Sequence, residues 1–174
     1  MLDTFKELIA NQFEAVLCTL NTCIERCPET AWGARIGKQT FSQVAFHALF
    51  FADYYLGSNE EALRGQPFHR DTPEFFGDYE QLEYREPVTL YDRASIKKYL
   101  AHCRQKASEV MVSETADSLS GPAGFPRRDF SRAELYVLTI RHIQHHVAQL
   151  SLRLRINADV EIPWVGSGWR AARP

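Results

Sequence analysis

Residues 40–57 read TFSQVAFHALFFADYYLG. Thr40 followed three positions later by Gln43 has the form of a capping box, in which each side chain satisfies an orphan N–H at a helix start. From Val44 to Ala52 the segment is apolar nearly all round, and a helix of that kind sits deep in a core. Gly57 supplies the stop, expected as a left-handed C-terminal cap. One imidazole, His47, interrupts the apolar run.

A buried helix needs others around it. Upstream, Phe5, Ile9, Phe13, Val16, Leu20, Ile24 and Cys27 step by three or four, which is one face of a helix over residues 3–27. Pro28 ends it, because the residue before a proline is pushed out of the α region. Downstream, Ile96, Leu100, Cys103, Ala107 and Val110 form the inner stripe of a helix over residues 92–115, with Thr89 and Asp92 as candidate caps. After the Gly121-to-Pro126 break, Ser131 and Glu134 form a second capping box and open a helix that reaches Asn157. Four long helices without strand-like alternation predict an all-α four-helix bundle, with residues 1–174 as a single domain. Ser58–Thr89, between the second and third helices, is the least regular stretch. Its aromatics, Phe68, Phe75, Phe76, Tyr79 and Tyr84, predict that it folds over something, by short helices or as a functional loop.

Composition narrows the function classes. The chain has 174 residues, 45% hydrophobic and 24% charged, with a net charge of −2. This is ordinary for a globular protein. Basic residues are scattered, so nothing points to nucleic acid. The Val44–Ala52 run is about half the roughly 20 residues that a membrane span requires, and no membrane association is expected. The opening MLDTFKELIA lacks the pattern of a secretory signal, so the cytoplasm is the expected location. Cys18, Cys23, Cys27 and Cys103 form no CxxC pair and read as reduced, partly buried thiols.

The chemistry concentrates in RHIQHHVAQL, residues 141–150. His142 and His146 are four apart and project from one helix face, a spacing that lets two nitrogens reach one ion. Leu135, Leu138, Gln149 and Leu152 share that face, which is therefore expected to look inward. A buried polar pair needs a partner, and a metal ion satisfies both rings. His47, in the most apolar helix, is the expected third ligand. His145 could take the place of His146, or face a neighbouring helix or solvent. His69 and His102 read as ordinary loop and surface residues. Three histidines with an open position is the arrangement of a catalytic rather than a closed structural zinc site. Imidazole also suits nickel and iron. The zinc-peptidase HExxH does not apply, because Ile143 rather than Glu follows His142.

His47 in AFHALFFADYY, and His142, His146, Gln149 and Leu150 in HIQHHVAQL, resemble the DinB/YfiT-like superfamily. Cys27-Pro28-Glu29-Thr30-Ala31-Trp32 is similar to that family's stretch between its first two helices, which often reads Leu-Pro-x-x-x-Trp. Ala148 stands where the family often has Gly. The resemblance implies a four-helix bundle, often a homodimer, with a three-histidine site for a divalent metal, zinc or nickel. It also implies a small-molecule substrate and, in some relatives, transferase or isomerase chemistry on low-molecular-weight thiols. The expectation is a metal-dependent thiol transferase or hydrolase with His47, His142 and His146 as ligands. Gln43, Asp53 and Tyr54 are weak candidates to orient a ligand or substrate. The alternative is a non-catalytic, stress-associated bundle that binds a metal or small ligand.

Overall fold

The computed structural model describes residues 1–77 and 88–170. Four long helices dominate: α1 (Leu2–Arg26), α3 (Phe41–Leu56), α6 (Arg93–Ser113) and α8 (Arg132–Ala158). Shorter elements fill the connections. α2 is Glu29–Trp32, and a two-residue hairpin pairs β1 (Arg35–Ile36) with β2 (Gln39–Thr40). Gly37, at φ 63°, makes its turn in a conformation that glycine adopts without a Cβ penalty. α4 (Glu60–Gly65), α5 (Pro67–Asp71), a 3₁₀ turn (Pro73–Phe76) and α7 (Ala116–Ser120) complete the set among the described residues.

The helix boundaries follow local chemistry. Cys27 is extended (φ −68°, ψ 120°) ahead of Pro28, as the proline ring requires. At α3, Thr40 N donates to Gln43 Oε1 at 2.9 Å and Gln43 N to Thr40 Oγ1 at 3.2 Å, closing the capping box. Asp92 caps α6 by accepting from Ser95 N at 2.8 Å, and Ser131 accepts from Glu134 N at the start of α8. Gly57 departs from expectation: it is extended (φ −69°, ψ 168°), not left-handed. The reason is tertiary. The Arg132 guanidinium donates to the carbonyls of Tyr55, Leu56 and Gly57, so the last carbonyls of α3 find donors on α8 without a left-handed turn.

Each long helix packs on two others: α1 on α6 and α8, and α3 on the same pair. Contacts fix the directions. Arg93, at the start of α6, reaches Cys27 O at 2.8 Å, at the end of α1. Lys6, at the start of α1, reaches the carbonyls of Val112 and Glu114 at the other end of α6, so α1 and α6 are antiparallel. Arg132 sets α8 antiparallel to α3 in the same way. Gln43 Nε2 bonds Thr89 O before α6, and Asp53 bonds Lys106 near its end, so α3 and α6 run parallel. The chain must therefore return the length of α3, about 24 Å for 16 residues, before α6 begins. This accounts for the long connection between them.

Residues 58–77 of that connection are more regular than the sequence suggests, and their aromatics cover the seam between α3 and α6. Phe75 meets Phe46 edge-on at 5.0 Å, Phe76 meets Tyr99 at 5.3 Å, and Phe68 stacks on His102 at 4.6 Å. Tyr79 and Tyr84 lie outside the described residues. Beyond α8 the tail turns back over α1, with Gly168 N donating to Asn11 O at 3.0 Å and Trp169 beneath Arg104. The core draws Phe13, Leu17, Leu20 and Ile24 from α1, Phe46 and Leu49 from α3, Ile96 and Leu100 from α6, and Ile143, Val147 and Leu150 from α8. Each such side chain contributes about 1.5–3 kcal/mol by leaving water. Among the described residues no helix is long and apolar enough to cross a membrane.

Candidate metal centre

α8 buries a stripe of Leu135, Tyr136, Thr139, Ile143, Val147, Leu150 and Leu154. This is not the face that the sequence singles out. Leu138 is only half-buried, and Gln149 and Leu152 are exposed. α8 packs on both α1 and α3, so its buried stripe centres between those neighbours, and His142 and His146 flank it on the α3 side. His47, on the second turn of α3, meets them there.

The three rings cluster closely. Ring centroids lie 5.2 Å apart for His47 and His142, and 4.6 Å apart for both His47–His146 and His142–His146. One nitrogen from each ring lies within 4.8 Å of the others. His146 Nε2 is 3.1 Å from His142 Nε2. Nitrogens bound at about 2.0–2.1 Å to one tetrahedral ion stand about 3.3–3.4 Å apart, so this pair is already near the spacing of two ligands. All three residues are half-buried, which leaves one side of the cluster toward solvent.

Electrostatics favours the ligating form. Burial lowers the His47 pKa to about 3, with help from His146 and His142. Burial lowers His142 to about 4, with smaller contributions from His146, His145 and Arg128. His146 is also lowered, chiefly by burial, although its bond to Gln149 acts the other way. All three rings are neutral at pH 7, and metal binding requires free lone pairs. His142 Nδ1 is buried without a hydrogen-bond partner among the described residues, so the protein does not satisfy this ring at both nitrogens. The donor set therefore fits a divalent ion. Phe51 forms an aromatic wall beside it, edge-on to His47 at 5.0 Å and to His142 at 4.9 Å.

The other candidates lie elsewhere. Gln43 is buried and spends its amide on the α3 cap and on Thr89 O. Asp53 is fully buried on the opposite side of α3. Lys106 Nζ donates to its Oδ1 at 2.5 Å, while Tyr99 Oη (2.9 Å) and Gln66 Nε2 (2.7 Å) donate to Oδ2. Tyr54 donates to Glu60, and burial together with that carboxylate raises its pKa. His145 is exposed, with Nε2 3.0 Å from Gln149 Nε2. Two expectations need correction. His69 belongs to α5 and stacks on Phe76 at 4.3 Å, and His102 stacks on Phe68 with Nε2 3.4 Å from Asp53 Oδ1. Aromatic packing across the connection claims both rings.

Sequence reasoning missed the network that seats α8 on α3. Besides the α3 carbonyls, Arg132 contacts Tyr136 Oη at 2.8 Å and Glu114 Oε1 at 3.3 Å, and Tyr136 donates to Glu114. Apart from Tyr136, one turn on in α8, its acceptors lie far away in the chain, so no local pattern announces them. The four cysteines are free and buried. Burial raises the Cys23 and Cys27 thiols to about 11.

A fold of four long helices with three histidines gathered at the seam of two of them defines a helical bundle able to hold a metal ion. Residues 12–150 match the DinB superfamily, and the chain belongs to it. No curated protein and no solved structure matches the chain.

Proposed function

We propose that this protein is a metal-dependent enzyme, a thiol-dependent transferase or hydrolase, whose divalent ion, zinc or nickel, is held by His47, His142 and His146. The observation that carries the reading is the meeting of three neutral, half-buried imidazoles from two helices, open on one side. A divalent ion held there would act as a Lewis acid and lower the pKa of a thiol or water beside it. The chain's own residues then have defined work. His142 and His146 present their lone pairs from one rigid helix, and Arg132 holds that helix against α3 so that His47 meets them. Phe51 lines the cluster with an apolar ring against His47 and His142. The nucleophile comes from outside, because the thiols of Cys23 and Cys27 are buried and raised far above neutral pH. A low-molecular-weight thiol or water fits that requirement. Four unpaired thiols suit a reducing compartment such as the cytoplasm. A homodimer belongs to the same reading: α8 exposes Val137, Leu152 and Ile156, and Trp164 nearby is 82% exposed.

The test is metal analysis of the purified protein alongside His47→Ala and His142→Ala, with thiol transfer to a small electrophile measured with and without chelator. We expect about one ion per chain in the wild type, loss of metal in both variants, and transfer that stops with chelator and returns with Zn²⁺ or Ni²⁺. A wild type without metal affinity overturns the site. Transfer indifferent to chelator overturns the catalytic role.

A further inference from the structure

The two exposed polar residues beside the cluster, His145 and Gln149, form an ordered relay onto it. His146 Nδ1 is 2.9 Å from Gln149 Oε1, and Gln149 Nε2 is 3.0 Å from His145 Nε2. The amide thus spends one end on each ring. Its two ends are chemically different, and with Oε1 turned to His146 and Nε2 to His145 that difference sets the tautomers. The Oε1 atom only accepts, so His146 Nδ1 carries the hydrogen. A neutral His146 then keeps its lone pair on Nε2, the atom that faces His142 Nε2 at 3.1 Å. The amide NH₂ only donates, so His145 Nε2 accepts from it and has no lone pair left for an ion.

We propose that Gln149 is a positioning residue. It sets the His146 tautomer and ring orientation for metal binding, and by holding His145 Nε2 it makes His146, not its neighbour, the second α8 ligand. This rests on the metal-centre reading above. The contrast within α8 supports it, since His142 Nδ1 has no such partner among the described residues. The Gln149 bond is therefore the one that orients the pair. Metal-bound imidazoles generally donate their second N–H to an oxygen acceptor, and removing that acceptor typically weakens metal affinity about 10–100-fold.

Co²⁺ titration followed by visible absorption tests this in the full chain. Gln149→Leu keeps the size and removes the acceptor. Gln149→Glu restores an acceptor oxygen toward His146. Position 149 is exposed, so both variants should fold, and far-ultraviolet circular dichroism of the metal-free proteins checks this. We expect Gln149→Leu to bind Co²⁺ about 10–100-fold more weakly than wild type, with a shifted visible band. Gln149→Glu should bind at least as tightly as wild type. His145→Ala should stay close to wild type, whereas His146→Ala should lose the ion. Wild-type affinity in Gln149→Leu would overturn the positioning role and leave the metal centre standing. Loss of Co²⁺ in His145→Ala with retention in His146→Ala would overturn the ligand choice. A wild type that takes up no Co²⁺ would remove the metal-centre reading itself, and this proposal with it.

Discussion

Helix α3 carries a half-buried His47 and, six residues on, a fully buried Asp53, and the bundle treats them in opposite ways. Asp53 faces α6 and meets donors: an ammonium from Lys106, a phenol from Tyr99 and an amide from Gln66. His47 faces α8 and meets two more imidazoles. An anion among protein donors is complete as it stands. Three neutral bases gathered at one point form an arrangement that could hold a cation. Burial of an ionisable group in an apolar helix thus does not by itself mark a functional site. What the facing helix brings to it decides.

The Asp53 side should give the largest stability effect. Asp53→Ala leaves the Lys106 ammonium, only 16% exposed, without its carboxylate. Removing one member of a buried pair costs about 3–5 kcal/mol, to be read from urea unfolding of the metal-free protein. Co²⁺ affinity of the folded fraction should not change. A loss of affinity would mean that the two faces of α3 are coupled.

Acid titration should separate the faces by pH. Burial raises the Asp53 carboxyl, but the His102 ring 3.4 Å away and the charge and hydrogen bond of Lys106 outweigh this and hold its pKa below the ordinary value. Its contribution is therefore present above about pH 4 and is lost as pH falls through the depressed folded value. His47 at about 3 and His142 at about 4 also lie below their unfolded value. Between those values and about pH 6.5, the unfolded chain binds more protons than the folded one, so stability falls as pH drops. Unfolding free energy measured from pH 8 to pH 3 should decline first from about pH 6.5, and again below about pH 4. His47→Gln should weaken the first decline, bound Zn²⁺ should suppress it, and Asp53→Asn should weaken only the second. A single decline confined below pH 4 would contradict the buried neutral state of the histidines.

The smallest effect should come from the start of the shared helix. Thr40→Ala removes the capping hydroxyl of α3 and should cost about 1 kcal/mol in the same urea experiment. It should leave Co²⁺ affinity unchanged, because His47 is held by packing against α8 and not by the cap.

Much of this was legible in the chain. The caps at Thr40, Asp92 and Ser131 and the stop at Pro28 are visible because each depends on residues within a few positions. The family resemblance rested on His47 and on the HxxxH-x-x-Gln-Leu run, and the match over residues 12–150 agrees with it. The sequence places His142 and His146 on an inward-looking face with Leu135, Leu138, Gln149 and Leu152, but a helix packed on two neighbours buries a different sector, and the histidines lie at its edge. Gly57 is extended where its local sequence suggests a left-handed cap, because Arg132 satisfies the end of α3 from outside.

By itself, the sequence determined the four helices, the apolar character of α3 and the pairing of His142 with His146, because helical periodicity, capping and the four-residue repeat are all local. Only the tertiary structure decided that α3 and α6 run parallel, that Asp53 finds Lys106 on one side while His47 finds two imidazoles on the other, and that Gln149 bridges two rings. Each of these depends on how whole helices lie against one another or on which way a side chain turns, and that geometry leaves no periodic trace along the chain.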